Sequence, residues 1–175
     1  MIEAALARIG VTRLALIAYA VAAVTLILDQ LSKAWILYGL HLPEVEQIRL
    51  LPILNLTMVW NPGISFSLFR AENLAGRIAL AIFALAVVVS LAVWARRATR
   101  PLTALAIGMI MGGAVGNNLF DRLRLGRVVD FIDVSGLGFF PWVFNVADSA
   151  ICIGVGLLLL ESFLSERQPA ATPKP

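Results

Sequence analysis

Residues 78–95 read IALAIFALAVVVSLAVWA and carry no charge. A stretch of that length is within the roughly 17–25 apolar residues that a helix needs to cross the hydrocarbon core of a bilayer. Further along, residues 101–120 are also uncharged. So are residues 14–28, and apolar character resumes at 34–40 after Asp29, Gln30 and Lys33. Residues 142–160 are apolar apart from Asn145 and Asp148. Four spans are therefore expected, near 14–36, 77–96, 101–120 and 142–162. Composition agrees, with 60% of the 175 residues hydrophobic and only 14% charged, against about 25% charged in soluble domains. Aqueous enzymes, collagen-like fibres and disordered chains are excluded. A net charge of +3 with no basic run in the core of the chain argues against a nucleic-acid partner. Cys152 is the one cysteine and His41 the one histidine, so neither an internal disulfide nor paired-histidine zinc chemistry is available. Cys152 reads as a small apolar filler.

Arg8 and Arg13 precede the first apolar run in the manner of a secretory signal. The length of that run and the polar group at 29–33 favour a retained span instead. With four spans both termini share a side, and Arg96, Arg97 and Arg100 crowd the short turn there. Positive charge concentrates in cytoplasmic turns, so both termini are expected in the cytoplasm, with loops 41–76 and 121–141 outside. Residues 55–60 are rich in β-formers and are followed by the turn Asn61-Pro62-Gly63 and a second strand-like run at 64–69. Residues 128–134 form another such run. Extended backbone at a membrane surface must find hydrogen-bond partners, so a small sheet joining the two loops is expected. The fold class is an all-α membrane protein with a small β element: four transmembrane helices plus an extracytoplasmic β-cradle. Residues 1–164 form one domain, and 165–175 a disordered cytoplasmic tail.

Ionisable side chains in or beside the hydrocarbon are costly and are functional candidates. Asp29, Asp121, Asp130 and Asp148 all approach the outer ends of the spans. If span four begins near 142, Asp148 lies one to two turns inside it, deeper than helix capping by Asn145 requires. Period-two alternation places Asp130 on one strand face and Asp133 on the other. Two carboxylates brought together in a poorly hydrated pocket share one proton. The ionised member can then deprotonate water while the protonated member donates to a substrate carbonyl. Asp29 and Lys33, four apart, share a helix face and can pair. Arg122 could neutralise Asp121, reach lipid phosphate or act as a snorkelling anchor. Trp35, Trp60, Trp142 and Trp94 suit an aromatic belt, and Gly112, Gly113 and Gly116 suit close helix packing.

Five segments in order, DQLSK (29–33), NPGISFS (61–67), GNNLFDR (116–122), GRVVDF (126–131) and FNVADS (144–149), resemble the signatures of the bacterial lipoprotein signal peptidase family, also called signal peptidase II. The resemblance covers nearly all of residues 14–161. It implies an intramembrane aspartic endopeptidase that needs no cofactor or metal. Such enzymes remove the signal peptide of a prolipoprotein just before a diacylglyceryl-modified cysteine. Asp130 and Asp148 match the family's catalytic pair. Asn61, Asn118, Asp121, Arg122 and Asn145 match polar residues around it, Asp29 and Lys33 match the first motif, and Gly63 matches the glycine of the second. The implied fold is four helices with a periplasmic β-cradle and a short helix on the membrane surface. The implied partners are prolipoproteins and membrane lipids, and one chain carries every needed group, as a monomer would. Pro62, Ile64 and Ser65 depart from the family's small residues around that glycine. Two alternatives use other groups: a serine–lysine peptidase built on Lys33 with Ser65 or Ser67, and a small proton-coupled transporter built on Asp148.

Overall fold

The structure, a computed structural model, describes residues 11–63 and 73–166. Four helices are long and apolar enough to cross a membrane. They are α1 (Arg13–Gly39), α2 (Leu74–Ala95), α3 (Pro101–Leu125) and α4 (Val146–Glu166). Thr12 caps α1, its hydroxyl accepting from Ala15 N, and Asn73 caps α2 in the same way through Gly76 N. Pro101 opens α3, where its missing N–H costs nothing.

Helix α3 is the centre of the bundle. More than half of its apolar stretch is buried (56%), against 17–22% for the other three spans. Glycines make this possible: a Cβ on Gly112 would come 2.4 Å from Ala22 O of α1, and one on Gly113 2.6 Å from Ala147 O of α4. Small residues let backbones approach closely where lipid offers no hydrophobic drive to association. Tyr19 Oη donates to Ala92 O, tying α1 to α2. Near the turn between α2 and α3, Arg100 donates to Ser165 and Thr103 to Glu161, which fastens that turn to the end of α4.

At the opposite end the two long connections build one antiparallel sheet of four strands, in the order β1 (Gln47–Leu51), β2 (Leu54–Asn61), β3 (Val128–Asp133), β4 (Val143–Phe144). Of the three strand-like runs, those at 55–60 and 128–134 are present as β2 and β3, and β1 and β4 flank them. Val129 and Phe131 of β3 pack with Ile36, Leu42 and Leu56, seating the sheet on the end of α1. Between Leu56 and Val59 the β2–β3 register slips by one residue. Asn55 pairs with Asp133 and Val59 with Asp130. Because Asp130 and Asp133, three apart, face opposite ways, that extra residue lets β2 supply a partner side chain to each.

Three expectations need correction. The last span begins at Val146 rather than 142, because the apolar run around Trp142 forms the edge strand β4 and Asn145 stops the chain before the helix. Asp148 is therefore in the first turn of α4. Cys152 is exposed on α4 rather than filling the interior. Helix α4 also continues through Ser165 and Glu166, into the expected tail. The strand-like run at 64–69, with Ser65 and Ser67, and residues 167–175 lie outside the described residues. Outside the spans the described helical pieces are the short turns Leu42–Val45 and Ser135–Leu137.

Candidate active site

The sheet-side ends of α1 and α3 are wound more loosely than an α-helix, as π-helical turns at Trp35–Gly39 and Gly116–Asp121. Such turns concentrate at functional sites because they re-aim side chains. Here the turn in α3 lies against Asp29, and a Cβ on Gly116 would come 2.5 Å from Asp29 Oδ2.

Asp130 lies in mid-strand on β3 and is only 2% exposed. Its Oδ2 accepts from Asn61 Nδ2 at 2.9 Å and its Oδ1 from Asn145 Nδ2 at 2.6 Å. Asp148 is half-buried, the third residue of α4. Its Oδ2 accepts from Asn145 N at 3.3 Å while Asn145 Oδ1 accepts from Asp148 N at 2.9 Å, a reciprocal cap of the helix start. Its Oδ1 accepts from Asn117 Nδ2 at 2.7 Å. Asn145 thus touches both carboxylates, one through its side-chain amide and one through its backbone. Burial, followed by the proximity of Asp148, pushes the Asp130 carboxyl up to about 6, against the opposing hydrogen bonds from Asn61 and Asn145. Asp133, facing away, accepts from Thr57 Oγ1 and Ser135 N.

Behind this pair sits a second polar cluster. Lys33 Nζ lies 2.8 Å from Asp29 Oδ2, 2.7 Å from Asp121 Oδ2 and 2.7 Å from Asn117 Oδ1. The expected Asp29–Lys33 pair is therefore present and extends to α3. Asp29 Oδ1 also accepts from Ala147 N, satisfying a free N–H at the start of α4. Asp121 accepts from Gln30 Nε2 and Val129 N, joining α3 to α1 and β3.

Arg122 is 2% exposed, so it is neither a snorkelling anchor nor a ligand for lipid phosphate. Its Nη1 donates to Pro62 O and its Nη2 to Gly63 O, and Gly63 N donates to Asn61 Oδ1. The guanidinium fork thereby fixes the turn that carries Asn61, and Pro62 and Gly63 enter through their carbonyls. Asn118 does not reach the aspartates. It donates to Ala114 O and accepts from Arg122 Nε at a long 3.4 Å. Its neighbour Asn117, passed over in the sequence, takes the central place, as Gln30 does beside Asp121. The loose turn in α3 shifts the helical phase, and nothing in the residue types of GNNLFD announces that shift.

Comparison with known proteins fits this geometry. A family model described as Signal peptidase (SPase) II matches residues 21–164. The lipoprotein signal peptidase of Caulobacter vibrioides is 57% identical over 158 residues, covering 90% of this chain and 93% of that protein. That of Rhodopseudomonas palustris is 40% identical over 145 residues, covering 81% of this chain and 88% of that protein. A bacterial membrane enzyme solved by the in meso method at 2.3 Å superposes with a TM-score of 0.77 over 90% of this chain and 94% of its own, at 24% identity. A second, solved at 1.9 Å, gives 0.69 at 26% identity, over 83% of this chain and 91% of its own. With its four spans, the four-stranded sheet and a family match over most of its length, the chain belongs to the signal peptidase II family and is a multi-pass peptidase of the bacterial inner membrane.

Proposed function

We propose that the chain cleaves diacylglyceryl-modified prolipoproteins just before the lipidated cysteine, by attack of water between Asp130 and Asp148. The observation that carries this reading is Asn145, hydrogen-bonded to both carboxylates at the junction of sheet and bundle. The pair holds one proton. The ionised member removes a proton from water, whose oxygen bonds to the scissile carbonyl carbon, and the other donates its proton to the carbonyl oxygen. Collapse of the tetrahedral intermediate breaks the C–N bond. The cysteine nitrogen takes a proton from the pair while one hydroxyl of the intermediate returns a proton to it, so the signal peptide leaves as a carboxylic acid and the pair again holds one proton. Asn61 and Asn145 steady the carboxylates with neutral donors, while Arg122 holds the turn beneath Asn61.

Supporting the substrate class, the acyl chains of a lipidated precursor partition with the bilayer at about 0.8 kcal/mol per buried methylene, which fixes the depth of the scissile bond. The two aspartates lie at the sheet end of the spans, the end opposite Arg96, Arg97 and Arg100. The positive-inside bias therefore favours an active site at the outer leaflet with both termini cytoplasmic. One chain supplies both acids, which favours a working monomer. Lys33 is ill suited as the base of a serine–lysine peptidase, because its three N–H donors are directed at Asp29, Asp121 and Asn117.

The test is a gel-shift assay with purified protein and a diacylglyceryl-modified precursor. Asp130→Asn and Asp148→Asn are each expected to abolish cleavage, while Ser65→Ala and Ser67→Ala retain substantial rate. Full turnover by either aspartate variant would overturn the reading.

A further inference from the structure

We infer that Lys33 is a positioning residue for the aspartate pair, acting through Asn117: it fixes which end of the Asn117 amide faces Asp148. The inference rests on the two-aspartate reading and adds a residue that touches neither acid directly. The two ends of an asparagine amide are nearly isosteric, so its hydrogen-bond partners alone choose the orientation. Asn117 Oδ1 receives Lys33 Nζ at 2.7 Å and Asn145 Nδ2 at 3.1 Å, while Nδ2 is given to Asp148 Oδ1 at 2.7 Å. Turned over, the amide would set its own N–H groups against an ammonium and another amide N–H, and would present an oxygen to a carboxylate. The same bond orders Asn145, which divides its two side-chain hydrogens between Asn117 Oδ1 and Asp130 Oδ1 and keeps its oxygen for Asp148 N.

A structural ion pair does not require this third contact. Lys33 and Asp29, four apart on one helix, form a bridge by themselves, and Asp121 closes it onto α3. The remaining proton is directed at a neutral amide that already has a donor from Asn145. Both Lys33 and Asn117 are buried, at 2% and 6% exposure, so water does not take over this role.

The experiment measures kcat and KM against pH for Lys33→Met and Asn117→Ala, normalised to folded protein, with Gly108→Ala as a control. Gly108 packs against Ala18 O, and its replacement loosens the same α1–α3 contact away from the site. Removing the relay costs roughly 10–100-fold in kcat by misplacing the pair and leaves KM within about threefold. The acidic limb of the profile moves up by about one pH unit, since one hydrogen bond to the ionised pair is lost. The control keeps the wild-type profile. A wild-type profile in Lys33→Met, or in Asn117→Ala if Lys33→Met does not accumulate folded, overturns the inference. Asn117→Ala leaves Lys33 between its two carboxylates, so its fold is expected to persist. Asp130→Asn and Asp148→Asn, assayed alongside, separate the two ideas. Cleavage by either refutes the aspartate reading itself, whereas loss of cleavage in both with an unchanged profile in the relay variants refutes only the role of Lys33.

Discussion

Asp130 is buried in mid-strand, and among the described residues the donors on its oxygens, Asn61 and Asn145, are neutral. Its carboxyl titrates at about 6 instead of 3.8, so the folded protein holds that proton more tightly than the unfolded chain does. Stability from this group is therefore fully present below about pH 4 and is lost as pH rises to about 6. A displacement of about two units corresponds to about 3 kcal/mol. Asp130→Asn removes the ionisation but leaves an NH2 that cannot accept from both asparagines. Relative to wild type, its unfolding free energy should rise by about 3 kcal/mol between pH 4 and pH 8, measured by denaturant melts in detergent. A pH-independent difference would contradict the assigned burial. Residue by residue, the acids stand out in the sequence because charge is conspicuous in apolar surroundings. Asn117 rather than Asn118 reaches Asp148, because adjacent asparagines differ only in helical phase, which the loose turn at 116–121 alters.

Elements were legible in proportion to how strongly one physical signal dominated them. The four spans follow from uncharged length. Strands β2 and β3 follow from β-branched and aromatic runs, and their join was foreseen because membrane-surface backbone needs partners. Strand β1, Gln47–Leu51, is almost wholly exposed and shows no alternation of burial. Strand β4 was absorbed into the apolar beginning of a span. A span drawn from 142 places Asp148 too deep, whereas it lies in the first turn of α4 and caps it with Asn145. Helix contact itself is testable at the glycines. Gly116→Ala would place a methyl 2.5 Å from Asp29 Oδ2, against the group that holds the start of α4. It should destabilise by about 1–3 kcal/mol and lower turnover. Gly156→Ala, with nothing within 4 Å, should match wild type or exceed it slightly through better helix propensity. Equal melting temperatures for the two variants would show that α1 and α3 are not packed as described.

At the level of the whole molecule, the sheet gathers residues from both long connections at one end of the bundle, and the arginine-rich turn lies at the other. On the proposed orientation, single cysteines in a Cys152→Ser background should react differently in intact cells. Glu44→Cys, on the exposed loop side, should label with a membrane-impermeant maleimide, and Arg97→Cys only after lysis; the reverse pattern would invert the topology. On the proposed mechanism two carboxylates, one on β3 and one at the start of α4, hold one proton between them and use it. Its most direct test is the pH dependence of kcat/KM for the wild-type enzyme on a lipidated precursor. A shared proton gives a bell, with an acidic limb where the pair loses its first proton and an alkaline limb where it loses its second. A rate that climbs to a plateau and stays there to high pH, as a single base would give, would contradict it.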